Sequence, residues 1–162
     1  MRVFIGTDHA GLEFKEHLKQ ALSAAGHDPV DCGAFDYDPQ DDYPPYCFEV
    51  GERTVTESGS LGVVIGGSGN GEQIAANKVP GVRAALVWNI ATAQLARQHN
   101  DANVVSIGAR QHTDEEATDL VLEFLKTPFS GDERHARRIG LVTDYERDRH
   151  RPAGGLPTRT EA

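Results

Sequence analysis

A chain of 162 residues is long enough for one domain with a proper core and too short for two ordinary ones. Its formal charge of −9 argues against sequence-independent DNA binding, which needs an excess of Lys and Arg to neutralise phosphates. No segment is apolar enough to span a bilayer or direct export, and Cys32 and Cys47 form neither a CxxC pair nor a disulfide framework, so a soluble cytoplasmic protein is expected.

In chain order, short β-type runs alternate with helical patterns. Residues 2–6 (RVFIG) read as a strand, followed by Thr7-Asp8-His9-Ala10-Gly11. Residues 13–25 place Phe14, Leu18, Ala21 and Leu22 at helical spacing and end at Gly26, a C-cap signal. Further strands are predicted at 28–32, 61–65, 82–87 and 103–107, and further helices at 46–56, 72–78, 90–99 and 115–126. Residues 131–149 form a last, highly charged helix. The tail 150–162, rich in Pro, Gly and polar residues, is expected to be disordered or to lie over a partner subunit, leaving 1–149 as the single domain. Several strands are continuously apolar, as in strands covered on both faces, so the class is α/β with a five-stranded parallel sheet. Ligands of such sheets bind outside the carboxyl ends of the strands, near a switch in strand order.

The most informative strand end is Gly66-Gly67-Ser68-Gly69-Asn70-Gly71-Glu72-Gln73. Crowded glycines between a strand and a helix free backbone N–H groups to converge on an anion or oxyanion. A P-loop would need Lys and Ser or Thr after the last glycine, and a dinucleotide fingerprint would need a third glycine at position 72; both meet Glu72 instead. A carboxylate beside convergent amides suits proton abstraction next to a developing oxyanion, although an acidic residue also favours a first helical turn on its own account.

The other strand ends add Asp8 and His9 after the first strand and Gly108-Ala109-Arg110 after the fifth. Asp8 alone reads as an N-cap, and His9 alone as a solvated first-turn residue. Away from the strand ends, His99-Asn100-Asp101 closes a helix, where histidine ordinarily serves as a dipole partner. Arg134, Arg137 and Arg138 lie within a turn of one another beside His135, a place suited to capturing a phosphate or a partner carboxylate. The seven histidines form no HExxH or Cys/His spacing, so no metal is expected.

These residues carry a resemblance. GTDHAG at 6–11, Asp42-Tyr43-Pro44, GGSGNGEQIAANKVPGVRAAL at 66–86, AQLARQHN at 93–100 and Gly108-Ala109-Arg110 closely resemble the ribose-5-phosphate isomerase B family, which also includes galactose-6-phosphate isomerase subunits. The resemblance covers the chain from Met1 to about Tyr145. It implies a Rossmann-like three-layer α/β/α domain that uses no nucleotide or other cofactor. It also implies a homodimer, or a tetramer, with sites at subunit interfaces, and interconversion of ribose 5-phosphate and ribulose 5-phosphate.

Many relatives carry a cysteine base at the end of the third strand, where this chain has Gly66. Members similar to the actinobacterial enzymes use instead a glutamate and a serine, matched here by Glu72 and Ser68. The resemblance further implies that His99 opens the furanose ring with help from Asp8, and that Glu72 moves the proton beside the amides of Gly67, Gly69, Asn70 and Gly71. Arg110, Arg134 and Arg138, with His9 and His135, would hold the phosphate, and Asn100 and Tyr43 would contact sugar hydroxyls. His99, Asn100 and Arg110 would come from the partner subunit. The alternatives are an isomerase of a tetrulose, allose or galactose phosphate, a non-catalytic sugar-phosphate binding module, and a nucleotide-dependent enzyme.

Overall fold

The computed structural model describes residues 1–149; the tail at 150–162 lies outside the described residues. Five strands, β1 (Arg2–Thr7), β2 (Asp28–Asp31), β3 (Leu61–Gly66), β4 (Ala84–Leu86) and β5 (Val104–Gly108), pair in parallel in the order β2-β1-β3-β5-β4. Six helices accompany them: α1 (Leu12–Ala24), α2 (Pro44–Thr56), α3 (Asn70–Ala76), α4 (Ile90–Asn100), α5 (Asp114–Lys126) and α6 (Glu133–Asp148). None is long and apolar enough to cross a membrane among the described residues.

Alternation along buried strands decides which helix each residue meets. Val3, Ile5, Val63, Ile65, Val105 and Ile107 pack with α1, α4 and α5 in one core. Phe4, Val64 and Val104 pack with Cys47, Val50, Ala75 and Ala76 of α2 and α3 in the other. Covering both faces explains the unbroken apolar runs. Each fully buried Val or Ile contributes about 1.5–3 kcal/mol.

The face toward α2 carries Gly6, Gly62 and Gly66 at even positions, and the helices use that space. A Cβ on Gly62 would stand 2.7 Å from Thr54 Oγ1 and 2.8 Å from Val50 Cγ1. One on Gly6 would meet Val50 Cγ2 at 2.8 Å and the Tyr46 carbonyl oxygen at 2.9 Å. Small strand residues thus let α2 and α3 approach the sheet closely.

The predicted elements match closely, with three differences. A 3-10 turn at His9–Gly11 precedes α1, with Asp8 as its cap. Strand β4 is shorter than predicted, because Val82 N–H turns back to the Val79 carbonyl. Helix α3 starts at Asn70, two residues earlier than predicted, so Glu72 is the third residue of its first turn, and it is buried. Gly26, with φ of 82°, sits just past α1 as the cap signal required.

A buried charge holds the segment after β2 in place. Lys15 of α1 has a fully buried side chain and donates to Asp31 Oδ1 at 2.7 Å and to the Ala34 carbonyl. Lys19 takes the other Asp31 oxygen at 2.7 Å. The Thr7 N–H donates to the Gly33 carbonyl at 2.8 Å and the Ala34 N–H to the Thr7 carbonyl at 2.7 Å, so this segment lies along the exit of β1.

Gly62→Ala is expected to destabilise the fold by about 1–3 kcal/mol through overpacking between β3 and α2. An unchanged urea midpoint would show that α2 can retreat at no cost.

Candidate active site

Strand order makes a crevice where β1 and β3 part. From β1 the chain goes outward to β2, and from β3 it leads toward β4 and β5 on the other side, so the loops leaving β1 and β3 open across one switch point. Thr7 Oγ1 donates to the Ile65 carbonyl at 2.9 Å and ties the two exits together.

Asp8 is buried and performs the capping predicted for it, with Oδ1 accepting from the Ala10 N–H at 2.9 Å. Its other oxygen lies 4.0 Å from His9 Nδ1. His9 is half-buried rather than solvated. Its Nδ1 is 2.7 Å from Asp41 Oδ1, which also accepts the His9 backbone N–H at 3.1 Å. Asp8, His9 and Asp41 each bring one possible ligand atom within 4.8 Å of the others, but the His9–Asp41 bond already occupies Nδ1.

The glycine loop is organised around Glu72. Its carboxylate occupies the space a Cβ on Gly66 would need, so the strand must end in glycine for the acid to lie where it does. Gly69 takes φ of 79° and caps α3 in the left-handed region. Its carbonyl accepts from Ser106 Oγ at 2.7 Å, which anchors the loop to β5. Ser68 Oγ accepts from the Asn70 side-chain amide at 3.2 Å. The N–H groups of Gly67, Ser68 and Gly69 donate to no protein oxygen among the described residues. Tyr43 lies over Gly71, where a Cβ would be 2.7 Å from the phenol oxygen.

Arg110 differs from expectation. Its guanidinium stands at Gly67 of its own chain, 3.5 Å from where a Cβ would be, and its N–H donates to the Gly67 carbonyl at 3.2 Å. Pairing of Gly66 with Gly108 at the ends of β3 and β5 puts it there, without a partner subunit.

The Glu72 carboxyl is held above the ordinary glutamate value. Burial is the main cause and the Asp8 charge adds to it, against a lowering by its own backbone N–H. Neither cysteine competes as a nucleophile. Burial pushes the Cys32 thiol up to about 11, and raises Cys47 further beside the charges of Glu72 and Asp8.

The remaining predicted residues form a second group. The His99 and His135 rings stack with centroids 4.2 Å apart. His135 is buried, with Nδ1 3.0 Å from Ser130 Oγ. Burial first, then the charges of His99, Arg134 and Arg138, disfavour its protonation, with Asp132 opposing. His99, Asn100, His135 and Arg138 line a cleft of about 690 Å³ with Trp88 and Arg83. Glu72, Ser68 and Asp8 are not among its lining residues. The predicted residues therefore fall into two groups in one chain, a buried carboxylate beside unpartnered loop amides and a cleft lined by His99, His135 and Arg138. Sequence reasoning missed Asp41 and the His99–His135 stack; four aspartates at 36, 38, 41 and 42 give no spacing that singles one out.

Glu72 is expected to ionise above 4.5, and Asp8→Asn to lower that value by removing a neighbouring negative charge. A carboxyl-carbon NMR titration of both proteins checks this, and identical titrations would remove Asp8 as a cause.

Comparison with known proteins bears on the same elements. The Ribose/Galactose Isomerase family model matches residues 3–142. Ribose-5-phosphate isomerase B of Mycolicibacterium paratuberculosis is 55% identical over 152 residues, 94% of this chain and 96% of that protein. A solved structure of ribose-5-phosphate isomerase B from Mycoplasma genitalium with bound ribulose-5-phosphate superposes with a TM-score of 0.87 at 42% identity, covering 91% of this chain and 97% of the other. The type B ribose 5-phosphate isomerase of Trypanosoma cruzi gives 0.87 at 44%, covering 92% and 98%. With a family match over nearly the whole fold, and a buried carboxylate and an open glycine loop at its switch point, the chain belongs to the ribose-5-phosphate isomerase B family.

Proposed function

We propose that this chain interconverts D-ribose 5-phosphate and D-ribulose 5-phosphate through an enediolate, with Glu72 as the base that carries the proton between C2 and C1. The observation that carries this assignment is the buried Glu72 carboxylate against Gly66, next to amides with no protein acceptor. A C2 proton is acidic only while the adjacent carbonyl can receive the negative charge. Base and oxyanion donors must therefore act on neighbouring atoms. The N–H groups of Gly67 to Gly71 stabilise the enediolate oxygen, and Ser68 assists proton exchange between the two oxygens. A base whose ionisation is raised by burial pulls harder on a carbon acid near neutral pH.

The aldose must first open from its furanose form. His99 serves as the general acid for opening, with Asp8 at the anomeric hydroxyl. Arg110, Arg134 and Arg138, with His9 and His135, hold the phosphate, and Tyr43 and Asn100 contact sugar hydroxyls.

A second copy of the chain completes the site in this reading. His99 and Asn100 line a cleft apart from Glu72, and one substrate must reach both groups. Trp88 and Val142 of the cleft are exposed at 60% and 61%, apolar surface that a second copy would cover. A homodimer with shared sites brings His99 of one copy to Glu72 of the other and covers these side chains.

Turnover of ribose 5-phosphate, with and without a chelator and against four- and six-carbon sugar phosphates, tests the reaction. Glu72→Gln is expected to lower kcat by about 10²–10⁴-fold with little loss of sugar-phosphate binding. Retained turnover would remove Glu72 as the base. Co-folding Glu72→Gln with His99→Asn chains should restore about a quarter of wild-type activity, since half the dimers are mixed and each holds one intact site. Mixed dimers verified by mass and still inactive would place His99 and Glu72 in the same copy's site.

A further inference from the structure

We infer that Asp41 is a positioning residue for phosphate binding, clamping His9 so that Nε2 is the ring nitrogen offered to the anion. The inference rests on the proposed role of His9 as a phosphate ligand. One oxygen, Asp41 Oδ1, takes both the His9 backbone N–H at 3.1 Å and ring Nδ1 at 2.7 Å. Two bonds from the same residue to one carboxylate oxygen fix both the start of the turn and the rotation of the ring. With Nδ1–H committed to Asp41, only Nε2 remains for a ligand.

The carboxylate is placed for this use. Its side chain is 9% exposed and Oδ2 is buried, while the other oxygen takes both bonds from His9. Burying a carboxylate costs stability unless hydrogen bonds hold it, and those two bonds from His9 are what the charge is held by. Asp41 is held independently of His9, because its N–H donates to the Asp38 carbonyl at 3.2 Å and the Gln40 N–H to Asp38 Oδ1 at 3.0 Å, closing a turn.

The other groups around the ring supply no positive charge. Asp8 Oδ2 is 4.0 Å from Nδ1, and the Tyr37 ring stands edge-on with centroids 6.1 Å apart. Burial first, then the charge of Asp41 and a hydrogen bond to it, raise the Tyr46 hydroxyl above its ordinary value, so Tyr46 brings no positive charge either. With Nδ1–H held by Asp41, Nε2 meets the phosphate through one shared proton, carried by the phosphate or by the ring.

Steady-state kinetics on the full chain tests the clamp. Asp41→Ala should raise KM for ribose 5-phosphate and the inhibition constant of inorganic phosphate about tenfold, with kcat within about twofold. Asp41→Asn keeps an oxygen for both N–H groups without the charge and should fall between, which also guards against a folding defect in the alanine variant. Nitrogen NMR of the ring should show one tautomer, protonated at Nδ1, in the native chain and a mixture in Asp41→Ala. His9→Ala should raise KM similarly, and adding Asp41→Ala to it should change nothing further. If His9→Ala leaves KM unchanged, the phosphate role of His9 fails and the clamp with it. If His9→Ala raises KM while Asp41→Ala leaves KM and tautomer unchanged, or if the two effects add, the clamp alone is overturned.

Discussion

The absence of one methyl-sized group at the end of β3 is the constraint on which the site depends. Strand alternation turns position 66 toward α2 and α3, and the Glu72 carboxylate fills the place its Cβ would take. Any side chain at that position would push the acid away from the sheet and from the amides it works beside. A side chain at the strand end and a carboxylate reaching back to the same backbone cannot share this space. The short helix α3 enforces the geometry, since its left-handed cap at Gly69 decides where the first turn begins and hence which face Glu72 takes.

Around that point the molecule separates its charges. The loops leaving β1 and β3 bring two buried acids, Asp8 and Glu72, and burial first, then the Asp8 charge, holds Glu72 above the ordinary glutamate value. The α4 and α6 flank gathers His99, His135, Arg134 and Arg138, where burial first and then the neighbouring positive charges lower the His135 value. On the proposed mechanism, a substrate with a reacting carbon at one end and a phosphate at the other would answer both, the phosphate meeting the cations and the acidic carbon meeting Glu72.

The framework was legible because it is periodic. Continuous apolar runs ending in glycine or Asp-His marked strands and their exits. Glu72 stood out as well, since it occupies the place where two nucleotide motifs failed, and the fold buries it against Gly66. What escaped depends on contacts between segments far apart in sequence. No sequence pattern singled out Lys15, and only the fold reveals that it lies fully inside against Asp31 and Ala34. Asp41 was one of four similar acids in a loop, distinguished only by a turn that aims it at His9. Arg110 was legible at a strand exit, and strand pairing brings it to Gly67 of its own chain; its origin in a partner subunit was implied by the resemblance alone.

The glycine at the end of β3 decides which reagents could find the base proposed here. A cysteine base at a strand end would be a soft nucleophile, open to alkylation and to oxidation by peroxide. Here both cysteines are buried and burial raises their thiols, so with Glu72 as the proposed base no thiolate takes part in the reaction. On that proposal, turnover is insensitive to peroxide and to thiol-directed electrophiles. An inhibitor for it must be designed around hydrogen bonding to a buried acid rather than capture of a thiolate.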